Sequence, residues 1–176
     1  MLKVGDRDTM LRYAADCRAF QSRKATGQYG WFPYVRGVVL RNANMQGADL
    51  RGVVLTLSDM TGSDFRGADL RDANLTGSRL VDADLRGADL RGARLGDVAF
   101  RGARLEGARI EEGTVRALTT GRGRYGCPWH AFVVEGGSLI LQYGRDRAPL
   151  DVWRTRAEGG WAEAIAIAER VVGEVN

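Results

Sequence analysis

Ala83-Asp84-Leu85-Arg86-Gly87-Ala88-Asp89-Leu90-Arg91-Gly92 decides the fold of this chain. It is one pentapeptide written twice, with a small residue first, a large apolar residue third and glycine last. Outward from it the same phase runs unbroken from Val38 to Glu112, with Leu, Met, Phe or Ile at every fifth position from Leu40 to Ile110. A helix would spread residues five apart by about 140° around its axis, and a flat strand would send them to opposite faces. Neither regular element accounts for the repeat, so the chain must turn every five residues.

If each pentapeptide is one side of a square coil, the large residue and the small one before it both point inward. Successive coils then stack at about the 4.8 Å spacing of β-ladders. The corners fit this reading, because glycine recurs two places after most of the large residues, and Asn42, Asp72, Asp82 and Asp97 fill four of the other places. Those residue types tolerate the positive φ of a tight turn. Leu57 and Glu112 break the corner rule, so Leu57 is expected to mark a local distortion or a covered apolar spot, and Glu112 the end of the coil.

The units Ala48-Asp49-Leu50-Arg51-Gly52, Ala68-Asp69-Leu70-Arg71-Asp72 and the two quoted above follow the motif A(D/N)LXX. In this the chain resembles the pentapeptide-repeat proteins. The resemblance implies a mainly β fold, a right-handed quadrilateral β-helix of about four coils and roughly 20 Å length at the ladder spacing. The expected organisation is an N-terminal helical cap over 1–32, the β-helix over 33–117, and a small α+β appendage over 118–176 that caps the coil or forms a homodimer.

The 176 residues carry a formal charge of +4 and two cysteines, Cys17 and Cys127. That is too little sulfur for a disulfide framework, and no apolar run reaches signal-peptide or membrane-span length, so a cytoplasmic protein is expected. Positive charge is concentrated before the repeats, where residues 1–37 hold seven Lys or Arg against three acids. The repeats are nearly neutral, with eleven Arg against twelve Asp or Glu between Val38 and Glu112. This lacks the dense positive charge of nonspecific nucleic-acid binding.

A twenty-residue coil lets each outer face be read separately. Two faces pair acids with arginines: Asp49 with Arg51, Asp69 with Arg71 and Asp89 with Arg91 on one, Asp64 with Arg66 and Asp84 with Arg86 on its neighbour. Both reverse their charges in the last coil, at Arg109 with Glu111 and Arg104 with Glu106. These ladders read as structural. The other two faces are more apolar and more basic. One carries Tyr34, Val54, Asn74 and Arg94, and the other Val39, Asp59, Arg79 and Ala99 beside Arg41, Thr61, Val81 and Arg101. The candidate interaction surface is therefore Tyr34, Val39, Arg41, Val54, Arg79, Val81, Arg94 and Arg101. At its N-terminal end, cover is expected from a helix capped at Asp8 or Thr9 and running to about Gln21, with Leu11, Ala14, Ala15, Cys17 and Phe20 on its apolar side.

Beyond Gly121 the period is lost. Residues 129–135 and 139–143 flank Gly136-Gly137-Ser138 as a hairpin, Pro149 opens a short helix with Leu150 and Trp153, and a closing amphipathic helix carries Trp161, Ala164, Ile165, Ala168, Val171, Val172 and Val175. The segment Tyr125-Gly126-Cys127-Pro128-Trp129-His130 is loosely similar to C-terminal extensions of phage and prophage pentapeptide proteins, a similarity that carries over no functional residue.

Gly121-Arg122-Gly123-Arg124-Tyr125-Gly126 matches a phosphate-loop string but precedes a hairpin instead of opening a helix. Cys127 and His130 fall short of the four ligands of a stable zinc site. They read as packed hairpin residues, with a Cys-His nucleophile oriented by Asp146 or Asp151 as the enzymatic alternative. Asn74-Leu75-Thr76 is a glycosylation sequon without meaning inside a cell. No cofactor, metal or membrane is expected. The expected function is a non-enzymatic interaction or scaffold protein with a protein partner. The alternative, implied by similarity to quinolone-resistance pentapeptide proteins, is a duplex-DNA mimic that binds gyrase. Direct nucleic-acid binding through Arg122 and Arg124 is the remaining alternative.

Overall fold

The computed structural model describes residues 7–25, 37–122, 128–136, 138–143, 146–149, 151–152, 165–166 and 169–170. Through the repeats the backbone forms a β-helix. Eleven parallel bridge pairs, from Val39 with Asp59 to Asp89 with Arg109, each join residues twenty apart, which sets four pentapeptides to each turn of the coil. From Asp59 to Arg109 each bridging residue bonds backward: the Asp64 N–H donates to Ala43 C=O (2.9 Å), and the Asp64 C=O accepts from Met45 N–H (2.7 Å).

The third-place residues Leu40 to Ile110 are buried, as are nearly all the small residues before them. Serine is tolerated at that small inward position because its hydroxyl finds backbone. Ser78 donates to Leu75 C=O (2.6 Å), Ser63 donates to Leu40 C=O, and the Ser58 hydroxyl accepts from Val38 N–H (3.1 Å).

The corners take positive φ throughout, with Asn42, Leu57, Asp72, Asp82 and Asp97 adopting 54° to 58° beside the glycines. Leu57 thus follows the corner geometry and marks no distortion, nor is it covered, being 60% exposed. The corners also obey a rule between coils. The side chains of Asn42, Leu57, Asp72 and Asp82 lie over Gly62, Gly77, Gly92 and Gly102, twenty residues on. A Cβ on Gly77 would stand 2.7 Å from Leu57 Cδ2, so one large corner requires a bare one above it.

The backward bonding leaves the first coil's bridging carbonyls without a coil to meet. Helix α1 (Arg7–Ala25) supplies partners: Arg7 donates to Asn44 C=O (3.4 Å) and the Tyr13 hydroxyl to Val54 C=O (2.9 Å). Met10, Tyr13 and Ala14 join the core cluster, with Leu11 packed against it. The helix thus lies along the open edge of the coil and inserts into its core. The apolar side expected from sequence needs correcting at Ala15, which is exposed, while Met10 and Tyr13 do the packing. The side chains of Cys17 and Phe20 lie outside the described residues.

At the other end an antiparallel meander β1-β2-β3-β4-β5 closes the coil. It consists of β1 (Arg109–Ile110), β2 (Gly113–Arg122), β3 (Pro128–Val134), β4 (Leu139–Tyr143) and β5 (Asp146–Pro149). The Val115 N–H donates to Ala108 C=O (2.7 Å), the Glu111 carboxylate accepts from Gly92 N–H (3.0 Å), and Val115, Phe132, Val134 and Ile140 extend the core cluster. The β3–β4 hairpin matches expectation. Pro149 ends strand β5, since Asp146–Pro149 pairs with Ile140–Tyr143. Asp151 and Val152 are helical, as are 165–166 and 169–170; Leu150, Trp153 and the rest of the expected closing helix lie outside the described residues. No described helix is long and apolar enough to cross a membrane.

Candidate interaction site

On the two acid-bearing faces every Asp is engaged. The Asp84 carboxylate accepts the Arg86 backbone N–H (3.2 Å) and grips its guanidinium at 2.6 Å, and Asp49, Asp64, Asp69 and Asp89 do the same two residues on. Links between coils follow at longer range, with Arg66 at 3.9 Å and Arg104 at 3.9 Å from Asp84 and Arg109 at 3.9 Å from Asp89. The charge reversal in the last coil therefore places a cation against the last aspartate of each column. The arginine hydrogen bonds hold Asp64, Asp69, Asp84 and Asp89 below the ordinary carboxylate range, against the upward push of burial.

The remaining faces differ. The Val39, Asp59, Arg79 and Ala99 column carries one acid, and Arg41 takes it at 2.5 Å while Thr61 donates to it at 2.7 Å. Burial pushes Asp59 up, and the bonds from Thr61 and Arg41 together bring it below its ordinary value. Higher on the same face Arg79 and Arg101 are exposed and, among the described residues, make no ion pair. Arg94, in the Val54, Asn74 and Arg94 column, is likewise exposed and unpaired among the described residues. Val39 and Val54 are half-buried, Val81 is buried, and Tyr34 lies outside the described residues.

The structure thus brings Arg79, Val81 and Arg101 together and separates them from Arg41, which is neutralised, and from Arg94 and Val54, which stand in another column. With Ala99, Phe100, Thr120, Gly121 and His130 they line a cavity of about 590 Å³ between the coil face and the β2–β3 ladder. Pairing of Thr120 with His130 and of Gly121 with Trp129 carries the second wall into place. Gly121 is required there because the Trp129 indole occupies the space its side chain would fill.

His130 forms part of the floor. It is 2% exposed, its ring stands edge-on to Phe100 with centroids 5.0 Å apart, and its Nε2–H donates to the Val98 carbonyl (2.8 Å). That bond puts the proton on Nε2 and leaves Nδ1 as a buried acceptor with no partner among the described residues. Burial lowers its pKa to about 4, against a smaller upward effect of the Val98 carbonyl, so the ring is neutral at physiological pH. Sequence reasoning placed Phe100 in the core and His130 in the hairpin, and no local signal joins either to the arginines, because only the β2–β3 register does so.

Cys127 lies outside the described residues, and no described carboxylate bonds to His130. No group of three metal-ligating side chains occurs among the described residues. Of the phosphate-loop string only Gly121 and Arg122 are described, and both belong to β2.

Residues 36–72 and 68–107 match the family model for pentapeptide repeats in eight copies, which supports that family for the repeat segment. Similar solved structures include a pentapeptide repeat protein from the thylakoid lumen of Arabidopsis thaliana, at 37% identity and TM-score 0.40, over 41% of this chain and 50% of that one. Another is HetL, a pentapeptide repeat protein involved in heterocyst differentiation regulation from the cyanobacterium Nostoc, at 30% identity and TM-score 0.29, over 45% of this chain and 41% of that one. QnrB1, a plasmid-mediated fluoroquinolone resistance protein, is 27% identical with TM-score 0.29, over 43% of this chain and 42% of that one. The chain spans half or less of the length of these three. No curated protein matches it.

Proposed function

We propose that this protein is a non-enzymatic interaction protein of the cytoplasm, a right-handed quadrilateral β-helix of about four coils whose basic face binds an acidic protein partner. The observation that carries this reading is the difference in charge closure. Aspartates on two faces hold their own arginines at 2.6 to 2.9 Å, whereas Arg79, Arg94 and Arg101 have no ion pair among the described residues. Uncompensated arginines at intervals on a rigid wall suit recognition of carboxylates, which the guanidinium fork takes in bidentate geometry. A duplex mimic directed at gyrase needs free acidic rows at phosphate-like spacing, and the locked aspartates argue against it.

The test is a pull-down from host lysate, with and without nuclease, using the tagged chain and the Arg79→Glu/Arg101→Glu variant. The reading expects a nuclease-resistant protein that the variant loses. Equal capture by the variant would remove it, and protection of gyrase in a supercoiling assay would restore the mimic.

A further inference from the structure

We infer that the cavity between the coil face and β2 is a socket for one acidic residue of a peptide segment together with an apolar neighbour. This rests on the interaction reading above and specifies where the partner is gripped.

Three observations lead there. First, two guanidiniums, Arg79 and Arg101, stand on the lining and no acid does among the described residues, so the described wall is cationic. Of the carboxylates on this side of the coil, Asp59 is engaged by Arg41 and Thr61 and Asp84 by Arg66, Arg86 and Arg104, while Asp82, at the corner over Gly102, is exposed and is not on the described lining. Second, the rest of the described lining carries no charge: Ala99, Thr120 and Gly121 are half-buried at its surface, with Val81, Phe100 and the neutral His130 ring buried behind them. Such a floor rewards an aliphatic or aromatic side chain and gives nothing to a bare ion. Third, about 590 Å³ falls within the range of sites that enclose small ligands and side chains.

A nucleic acid is a poorer occupant. It is held by many cations along a stripe, and here two stand in a partly apolar hollow on a repeat body with eleven Arg against twelve acids. A carboxylate anchored between two arginines, with the adjoining side chain against Ala99 and the edge of Val81, uses both halves of the lining.

The experiment selects a displayed library of random decapeptides on the immobilised full chain and measures the best peptide by fluorescence anisotropy. The socket expects enrichment of Asp or Glu next to Leu, Ile, Val or Phe. Arg79→Gln/Arg101→Gln should weaken that peptide at least tenfold. Ala99→Trp, which fills the hollow and keeps both cations, should do the same. Thr120→Glu, which supplies an internal carboxylate, provides a second route to that loss should Ala99→Trp fold poorly. Arg116→Gln, exposed on β2 and outside the lining, should change affinity less than twofold.

The socket is overturned if no acidic motif emerges, if well-folded Ala99→Trp and Thr120→Glu bind the peptide normally, or if equimolar inorganic phosphate or a duplex oligonucleotide displaces it. The broader reading fails separately. A lysate partner lost by Arg79→Glu/Arg101→Glu but held normally by Ala99→Trp keeps the face and removes the socket, whereas a partner indifferent to every arginine change removes the face.

Discussion

The walls around Asp84 and around Arg79 are built on the same ladder, yet they treat charge in opposite ways. At Asp84 the carboxylate stands two residues before its arginine, so the short loop between them brings the groups together whatever lies above or below. At Arg79 the cation occupies the bridging position where the two sealed faces carry Asp, and two residues on stands Val81, which offers no charge to pair with it. The fold constrains only the inward residues and the corners. Whether a face is sealed or open is therefore decided by the two outward positions of each pentapeptide, and function can be written there without disturbing the core.

The largest expected effect lies beneath the open wall. Because burial holds the His130 pKa down to about 4, the unfolded chain takes up a proton more readily than the folded one between its ordinary value near 6.5 and 4. Stability contributed by the neutral ring is complete above pH 6.5 and is lost as pH falls through that window, by about 3 kcal/mol. Val98, Phe100 and Phe132 enclose the ring, Gln142 faces it across the ladder, and Arg79 and Arg101 line the same hollow. Urea unfolding at pH 7 and pH 4.5 should show the loss, and His130→Gln should flatten it. An equal slope in that variant would relocate the titration. The sealed walls should respond only lower, as Asp64, Asp69, Asp84 and Asp89 protonate below the ordinary carboxylate range.

Asp84→Ala opens a sealed wall. It removes the acceptor of the Arg86 N–H and the carboxylate shared with Arg66 and Arg104. The expected cost is about 1 kcal/mol, set by the backbone hydrogen bond because exposed ion pairs are screened. Asp84→Asn keeps an acceptor and should cost less. Both leave arginines uncompensated, so both should bind heparin-agarose to higher salt than the parent, which is the sharper check.

Much of this architecture was legible in advance, and the parts that were not share a cause. Leu40 to Ile110 and the corners follow from the period alone, because a five-residue phase admits no common element and a twenty-residue coil fixes what stacks on what. The alternation that sets Asn42, Leu57, Asp72 and Asp82 each beneath a glycine was present in the letters, and reading the corners by column would have found it. The Arg7 and Tyr13 contacts could not be read, since they answer to carbonyls left over at an edge. Strand β5 was hidden because Asp-Arg-Ala-Pro has the composition of a turn and is held by pairing with Ile140–Tyr143. The groove depended on the register of Thr120 against His130, a tertiary fact without a local signature.

Leu57 tests the corner that adjoins the open wall. Its φ of 56° costs a branched aliphatic residue about 1 kcal/mol, and at 60% exposure the side chain recovers little by resting on Gly77. Leu57→Asn, a residue that accepts this conformation, should raise stability by about 0.5 to 1 kcal/mol in thermal or urea unfolding. A loss would mean that the exposed leucine is held by packing, and the corner rule would then need a tertiary term.

The smallest expected effect is the one on which the contrast between walls depends. Arg79→Gln/Arg101→Gln should leave unfolding free energy within about 0.5 kcal/mol of the parent, since neither arginine has an ion pair among the described residues and exposed positions away from such features contribute little. Two cations that share one hollow repel each other, so a slight gain is the favoured direction. Measured beside Asp84→Ala under the same conditions, this pair separates residues kept for the wall from residues kept for a partner. Should the arginine variant prove as costly as Asp84→Ala, the open face would be structural after all, and the uncompensated charge would have to be explained by groups of this same chain.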